Sequence, residues 1–171
     1  MIRLATKDEA ERLRQIEADA GELFRTVDMA RVAENKLPSV AFLQAAIAAG
    51  RIWVDAPPGD EPAAYLLTDD VDGCLHIEQV SVHPSRAREG LGRGLIDHAE
   101  IVAGQRGLPA LTLTTFAEVP WNGPYYRRLG FVELTGPAIT PGLARIRDRE
   151  DALGLDAWPR ICMRREVRAA P

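Results

Sequence analysis

The sequence predicts a mixed α/β domain, in which about seven strands form a sheet covered by four or five helices. Three observations support this fold class. The chain has 171 residues, which suits one compact domain, and 46% of them are hydrophobic while 27% are charged, as in globular proteins. Short strand-like runs alternate with segments of helical periodicity. No repeat or low-complexity tract divides the chain, so we expect a single domain over residues 1–171.

The first part of the chain predicts a strand followed by two helices. A short strand is expected at residues 2–5. The next four residues, Thr6-Lys7-Asp8-Glu9, have the S/T-x-x-E spacing of a capping box, which satisfies free amides at a helix start. Apolar residues then recur at helical spacing: Leu13, Ile16, Ala20, Leu23, Phe24 and Val27. A second helix is expected over residues 39–50, with four residues facing inward: Phe42, Leu43, Ala46 and Ile47.

The remainder predicts an antiparallel meander followed by a strand–helix–strand unit. Three short strand runs, separated by turn sequences, are expected at 51–54, 63–68 and 74–82. A helix at 91–107 then leads to a strand at 110–115, which would pair in parallel with the strand before the helix. The last elements are expected in this order: a helix at 121–129, a strand at 131–134, a helix at 140–154 and a strand at 161–167.

Composition argues against several classes of protein. No apolar run approaches the roughly 18 residues of a membrane-spanning helix, and the first residues lack the apolar segment of a signal peptide, so we expect a cytoplasmic protein. The net charge of −4 argues against a general nucleic-acid binder. Cys74 and Cys162 lack metal-ligand spacing, and His76 and Glu78 complete no recognised ligand set, so no metal is expected.

Residues 80–95 carry the strongest chemical signal. A strand breaks at Pro84, and a helix follows through glycines at 90, 92 and 94. A helix start exposes about four unpaired amides with a partial positive charge, and glycine lets the backbone approach a pyrophosphate closely. We therefore call residues 86–94 the cradle and expect it to bind phosphate. The segment matches neither a P-loop nor the G-x-G-x-x-G dinucleotide fingerprint.

At these residues the sequence resembles the GNAT superfamily of acyl-CoA-dependent N-acyltransferases. The phosphate loop of that family reads Q/R-x-x-G-x-G/A, and residues 87–92 match it except at Ala87, which arginines flank on both sides. A second likeness is the family's helix-and-strand motif Y-x-x-x-G-F, which Tyr126, Gly130 and Phe131 reproduce. The order of elements is similar over residues 2–135, and the helix at 140–154 before the last strand is an addition.

The resemblance implies a donor and its place in the fold. It implies a mostly antiparallel sheet splayed into a V where strands 74–82 and 110–115 separate, with acetyl-CoA in the opening. The backbone of Val80, Ser81 and Val82 would pair with the pantetheine arm, and Asn122 would bond the arm from the other side. The pyrophosphate would lie on the cradle, whose candidate cofactor-binding residues are Arg86, Arg88, Glu89, Gly90, Leu91, Gly92, Arg93 and Gly94.

Acetyl transfer to an amine needs a base for the ammonium proton and an acid for the leaving thiolate. Tyr126 is the candidate acid, on physical and family grounds, because its hydroxyl would reach the CoA sulfur. Glu78 is the candidate base, since two-residue alternation puts it on one face with His76 and Val80, and partial burial would make it more basic. His76 is the alternative base.

The acceptor is the least specified part of the reaction. Phe24, Phe116 and Trp121 are expected walls of its site, with His76 nearby and Glu118 placed to attract a cation. The formal charge is −6 over residues 1–72 and +2 over residues 73–171, which favours a cationic amine over an acidic one.

The sequence leaves the partner and the assembly open. The acceptor is a small-molecule amine or the amine of a peptide or protein, and the chain is a monomer or a homodimer. The alternative function is a catalytically silent sensor or interaction module that binds acetyl-CoA. The presence of Tyr126 and Glu78 argues against it, because a sensor needs the cradle but neither an acid nor a base.

Overall fold

The computed structural model describes residues 1–57 and 59–168, and these residues form seven strands and six α-helices. The strands are Ile2–Leu4 (β1), Ile52–Asp55 (β2), Ala64–Val71 (β3), Cys74–Val82 (β4), Ala110–Phe116 (β5), Val132–Leu134 (β6) and Arg160–Glu166 (β7). The helices are Ala10–Gly21 (α1), Ala30–Ala33 (α2), Val40–Ala48 (α3), Leu91–Gln105 (α4), Gly123–Arg128 (α5) and Pro141–Ala152 (α6). The predicted mixed α/β class is confirmed, with one more helix than expected.

All seven strands belong to one open sheet, in the order β1-β2-β3-β4-β5-β7-β6. β1, β2 and β3 are successive antiparallel neighbours, and β7 pairs antiparallel with both β5 and β6. β4 and β5 pair in parallel, with α4 between them in sequence. The mostly antiparallel sheet and its parallel crossover unit are therefore as predicted.

The described residues divide into two compact units. The first consists of residues 1–68 and 79–98, and the second of residues 69–78 and the chain from residue 99 onward. The first unit contains the cradle and the end of β4. The second contains Glu78, α5 and α6.

The core of the first unit lies between helices α1 and α3 and strands β2 and β3. The capping box forms as predicted, because the Thr6 amide donates to Glu9 Oε2 at 2.8 Å. Leu13 and Ile16 of α1 are fully buried in this core. Phe42, expected to face inward, is 43% exposed. It precedes the buried Leu43 by one position, which rotates it about 100° around the helix.

A two-residue turn joins β3 to β4. Asp72 and Gly73 have φ angles of 50° and 77°, as in the type I′ turns that match the twist of a hairpin. The Asp72 carboxylate also accepts a hydrogen bond from the Gly142 amide at 2.7 Å, so this turn caps the start of α6. The added helix is thus fixed to the sheet at its first turn.

Glu150 fixes α6 at its other end. Its carboxylate accepts hydrogen bonds from Arg160 Nε and Nη2, both at 3.0 Å, from Arg147 Nη1 at 2.7 Å and from the Thr114 hydroxyl. Burial alone would raise the pKa of Glu150, but the hydrogen bond and charge of Arg160, with the hydrogen bonds of Thr114 and Arg147, outweigh it and lower that pKa. The contacts link α6 to β5 and β7.

Glu150→Gln is expected to destabilise the protein, because it leaves Arg160, whose side chain is only 8% exposed, without its anion. Removing one partner of a buried ion pair costs about 3–5 kcal/mol, which lowers Tm by about 10 °C in a domain of this size. Since the folded pKa of Glu150 is lowered, its stabilising effect exists above the unfolded pKa and is lost as pH falls through the folded value.

Thermal unfolding at neutral pH and again in acid, below the lowered folded pKa of Glu150, tests this expectation. The decrease in Tm caused by Glu150→Gln should be large at neutral pH and should shrink in acid. Asp148→Asn, an exposed change on the same helix, is the matched control and should leave Tm unchanged. Equal Tm values for Glu150→Gln and this control at neutral pH would contradict the role given to Glu150.

Candidate functional site

The segment after β4 turns into α4 through the cradle, within the first unit. Pro84–Arg86 forms a 3-10 turn, and α4 begins at Leu91. Ala87 has φ −63° and ψ 146°, and Arg88 has φ 67°. These values suit the two central positions of a type II turn, where the second position favours glycine. Arginine rarely adopts a positive φ, so the backbone at Arg88 is strained. Such strain concentrates at ligand-binding loops, and this loop is predicted to be one.

The three cradle arginines have different partners. Arg86 Nε lies 2.7 Å from Glu89 Oε2, and Arg93 Nε lies 3.6 Å from Asp97 Oδ2. Arg88 has neither a hydrogen bond nor an ion pair with any residue that the structure describes. Arg88 therefore has its full charge available to a ligand, while the other two share theirs with carboxylates.

Two of the three cradle glycines serve different purposes. Gly90 has φ 81°, a left-handed conformation that permits the turn into α4. Gly94 lies inside α4, and a Cβ added there would point at Ile2 of β1, 3.8 Å from its Cδ1. The Cα hydrogens of Gly94 thus face β1, and its part in binding a pyrophosphate stays a prediction.

Val80, Ser81 and Val82 lie at the end of β4. The described register between β4 and β5 consists of three pairs, residues 75–77 with residues 111–113, and both strands continue beyond it. Ser81 is buried, and its hydroxyl accepts a hydrogen bond from Gln79 Nε2 at 2.8 Å. The three residues predicted to meet the pantetheine arm therefore lie past the last pair of the β4–β5 ladder.

β4 contains one more residue than β3. At its far end the His83 amide donates to the Ala63 carbonyl at 2.8 Å. The segment from Cys74 to His83 has ten residues, whereas the facing segment from Ala63 to Val71 has nine. The β4 side therefore accommodates one extra residue, as in a β-bulge. The two-residue alternation that would place His76, Glu78 and Val80 on one face does not hold along the whole strand.

His76 and Glu78 occupy different environments in the second unit. Glu78 is exposed, so the partial burial expected for the base is absent. His76 is 2% exposed, and its Nδ1 lies 2.9 Å from the Thr112 hydroxyl oxygen. Burial lowers the pKa of His76 to about 4, which keeps the ring neutral at neutral pH and makes it a weak base. Of the two candidate bases, Glu78 is therefore the one that is accessible from solvent.

Tyr126 lies on α5 with its ring 9% exposed. The ring packs edge-on against Tyr125 and Phe131, with centroids 5.4 and 5.7 Å away. Its hydroxyl makes no hydrogen bond with any described residue, and it is not among the polar atoms sealed from solvent. Burial raises the pKa of Tyr126, so the phenol stays protonated at neutral pH.

The start of α5 depends on a close backbone approach. A Cβ added at Gly123 would lie 2.4 Å from the Ala117 carbonyl oxygen, so only glycine fits there. Asn122, one residue earlier, accepts a hydrogen bond from the Tyr126 amide through its carbonyl at 2.9 Å. Its side-chain oxygen Oδ1 is buried and has no donor within the described part of the chain. This orphaned acceptor suits a ligand that brings an N–H group.

The predicted acceptor walls differ in their exposure. Phe116 is 6% exposed, because Arg160 stacks over its ring at 4.4 Å and Trp158 packs against its edge at 6.2 Å. Little of Phe116 is left for an acceptor to contact. Phe24 and Trp121 are half-buried, and Glu118 is exposed.

Sequence reasoning missed a buried polar chain in the first unit. The Tyr65 hydroxyl donates a short hydrogen bond to Glu17 Oε2, and the Ser81 hydroxyl bonds to Tyr65. Burial raises the pKa of Glu17 and, together with the Glu17 charge, raises that of Tyr65 well above its usual value. One signal was present in the sequence, because Glu17 follows Leu13 by four positions on the apolar face of α1.

Comparisons with known proteins agree with this geometry. A sequence model described as the acetyltransferase (GNAT) family matches residues 11–131, which is more than half of the chain. The chain belongs to the GNAT acetyltransferase family. Both motifs singled out in the sequence, at residues 87–92 and 126–131, lie inside the matched segment, whereas α6 and β7 lie outside it.

Solved structures share the GNAT fold at low sequence identity. Rv2747 from Mycobacterium tuberculosis, solved with CoA, has a TM-score of 0.70 at 17% identity, and the match covers 98% of this chain and 99% of that one. The PaiA N-acetyltransferase of Thermoplasma acidophilum, solved with coenzyme A, has a TM-score of 0.71 at 12% identity, covering 97% and 98%. The ribosomal-protein-S18-alanine N-acetyltransferase of Escherichia coli has a TM-score of 0.65 at 20% identity, covering 100% and 96%.

The protein is thus an enzyme of the GNAT acyltransferase type. Within the described residues, every helix is too short or too polar to cross a lipid bilayer.

Proposed function

We propose that this GNAT enzyme transfers an acetyl group from acetyl-CoA to a primary amine by direct attack in a ternary complex. The observation that carries the proposal is the cradle. It joins a strand end, a left-handed turn and a helix start, and no carboxylate of the described residues pairs with its Arg88. Helix starts of this kind bind phosphate groups. Coenzyme A carries a pyrophosphate, and it is present in the structures of Rv2747 and PaiA.

The residues present fit acetyl-CoA. The cradle supplies amides and arginines for the pyrophosphate, and the backbone of Val80, Ser81 and Val82 supplies strand hydrogen bonds for the pantetheine arm. Asn122 has a buried side-chain oxygen with no donor in the described residues, which suits an amide N–H of that arm. Acetyl-CoA supplies an activated thioester carbonyl when bound, and the remaining chemistry is proton transfer.

Two side chains would move the protons. Glu78 accepts the proton that the ammonium form of the acceptor loses, so that the amine nitrogen can form the new C–N bond. Tyr126 donates its phenolic proton to the sulfur as the C–S bond breaks. The nitrogen loses a second proton once the C–N bond has formed, and this proton returns through water to the Tyr126 phenolate. The exposed carboxylate of Glu78 can reach an acceptor directly or through water, and the raised pKa of Tyr126 keeps its proton available.

Arg88→Ala is expected to raise the Kd of acetyl-CoA about tenfold, because one charge-assisted hydrogen bond to phosphate contributes about 1.5 kcal/mol. The effect should weaken in high salt, since the arginine is exposed. Arg86→Ala is the matched control and should cost less, because Arg86 already pairs with Glu89. Calorimetric titration of the three proteins measures the difference. Equal Kd values for Arg88→Ala and wild type would contradict the assignment.

Titration with acetyl-CoA followed by a thiol-release assay across a panel of amines tests the function itself. Micromolar binding with thiol release for at least one amine would support an N-acetyltransferase. Binding without release for any amine would support the sensor instead. Absence of binding would contradict both functions.

A further inference from the structure

Glu17 of α1 differs from the other glutamates that the described structure shields from solvent. Four glutamates are buried or half-buried: Glu9, Glu17, Glu100 and Glu150. Arginine side chains contact Glu9, Glu100 and Glu150. Within the described residues, the Glu17 side chain contacts the Tyr65 hydroxyl and no cation reaches it. Among the described residues, Glu17 is thus the buried or half-buried glutamate that no cationic side chain contacts.

The Glu17 carboxylate ends a chain of hydrogen bonds that begins on β4. Gln79 Nε2 donates to the Ser81 hydroxyl at 2.8 Å, Ser81 bonds to the Tyr65 hydroxyl, and Tyr65 donates to Glu17 Oε2. Tyr65 is fully buried, and Ser81 is 4% exposed. All four residues belong to the first unit. The chain therefore connects Glu17 to the strand that the proposed function assigns to the pantetheine arm.

A shielded carboxylate without a cation is costly to maintain. Burial disfavours its ionised form, and a single hydrogen bond from a phenol offsets only part of that penalty. Its other oxygen, Oε1, receives no hydrogen bond from the described residues, yet it is not sealed from solvent. Titratable groups that burial perturbs concentrate at functional sites.

We propose that Glu17 binds a positively charged group of the acceptor, so that the preferred substrates of this enzyme are cationic amines. The inference rests on the proposed N-acetyltransferase function and adds the substrate class. The formal charge of −6 over residues 1–72, which include α1, acts in the same direction by attracting cations. Tyr65 holds Oε2 in place and leaves Oε1 for the acceptor.

Acceptor kinetics of Glu17→Gln test the proposal. The probes are spermidine and L-lysinamide, which are cationic at neutral pH, and p-toluidine, which is neutral. For a cationic acceptor, KM should rise about ten- to a hundredfold while kcat changes little, since a charge pair that is partly shielded from solvent is lost. The KM for p-toluidine and the Kd of acetyl-CoA should stay within a few fold. Glu11→Gln, which removes the same charge from the exposed side of α1, should change none of these constants.

The outcomes separate the inference from the function on which it rests. Unchanged KM values for the cationic amines in Glu17→Gln would overturn the inference alone, as would wild-type turnover confined to p-toluidine. Wild-type enzyme that binds acetyl-CoA but turns over no amine would overturn the proposed function and the inference with it.

A stability measurement distinguishes this role from a structural one. Because the folded pKa of Glu17 is raised, its contribution to stability is present below the unfolded pKa and is lost as pH rises through the folded value. Glu17→Gln should therefore match or exceed the wild-type Tm at pH near 7, and the advantage should vanish in acid. A Tm clearly below wild type at neutral pH would show that Glu17 holds α1 to the sheet, and it would overturn the proposal.

Discussion

Tyr126→Phe is expected to lower kcat by about two to four orders of magnitude, the range of a lost general acid. The substitution removes only the hydroxyl, and the ring keeps its packing against Tyr125 and Phe131. Since that hydroxyl bonds to none of the described residues, its loss leaves no buried partner unsatisfied. The Tm should therefore stay near that of wild type, and the Kd of acetyl-CoA should change by no more than a few fold.

Steady-state kinetics with saturating acetyl-CoA measure this effect. Tyr125→Phe is the matched control, because Tyr125 is adjacent on α5 and lies about 100° away around the helix. Its kcat should stay near wild type. Unchanged turnover in Tyr126→Phe would remove Tyr126 from the acid role, and a large loss in Tyr125→Phe would transfer that role to its neighbour.

Glu78→Gln is expected to lower kcat/KM by about two to four orders of magnitude if Glu78 takes the ammonium proton. Glutamine keeps the size and hydrogen-bonding capacity of the side chain but cannot accept the proton. The acidic limb of the pH–rate profile, which reports protonation of the base, should disappear with it. Because Glu78 is exposed, the substitution should leave Tm unchanged.

The matched control for Glu78 is Glu133→Gln, an exposed carboxylate in the same unit that contacts Arg127 at 3.5 Å. It should leave both the rate and its pH dependence as they are. A wild-type profile in Glu78→Gln would contradict the assignment. His76 would not become the base by default, because it is only 2% exposed.

Much of the fold could be predicted because the deciding signals are local. The capping box at Thr6, the Asp72-Gly73 turn and the strand–helix–strand pattern around α4 each depend on residues close in sequence. α2, Ala30–Ala33, was missed because four residues are too few to show helical periodicity. Phe42 was misplaced because the buried stripe of α3 is narrower than its apolar composition indicates.

The cradle could be predicted because its glycines and arginines lie close together in the sequence. The ion-pair partners of its arginines could not. Arg86 pairs with Glu89 and Arg93 lies near Asp97, so that Arg88 is the cradle arginine without an anion among the described residues, and only the fold shows it. The extra residue in β4 is likewise invisible to an alternation pattern, which assumes that no residue is inserted.

Contacts between distant residues account for the rest. Glu17 and Tyr65 are 48 positions apart, and Thr114 and Glu150 are 36 apart, so no periodicity pairs them. A polar residue on an apolar helix face, as Glu17 is, signals that a partner exists without saying which one. The fold supplies the partner, and through it the substrate class that we propose.

The central claim is acetyl transfer from acetyl-CoA to an amine, and one measurement tests it most directly. Purified wild-type protein is incubated with acetyl-CoA and spermidine, L-lysinamide or p-toluidine, and free thiol and the mass of the amine are followed in the same sample. We expect thiol release in step with a monoacetylated amine, and loss of both in Tyr126→Phe. Acetyl-CoA binding without an acetylated product from any of these amines would contradict it.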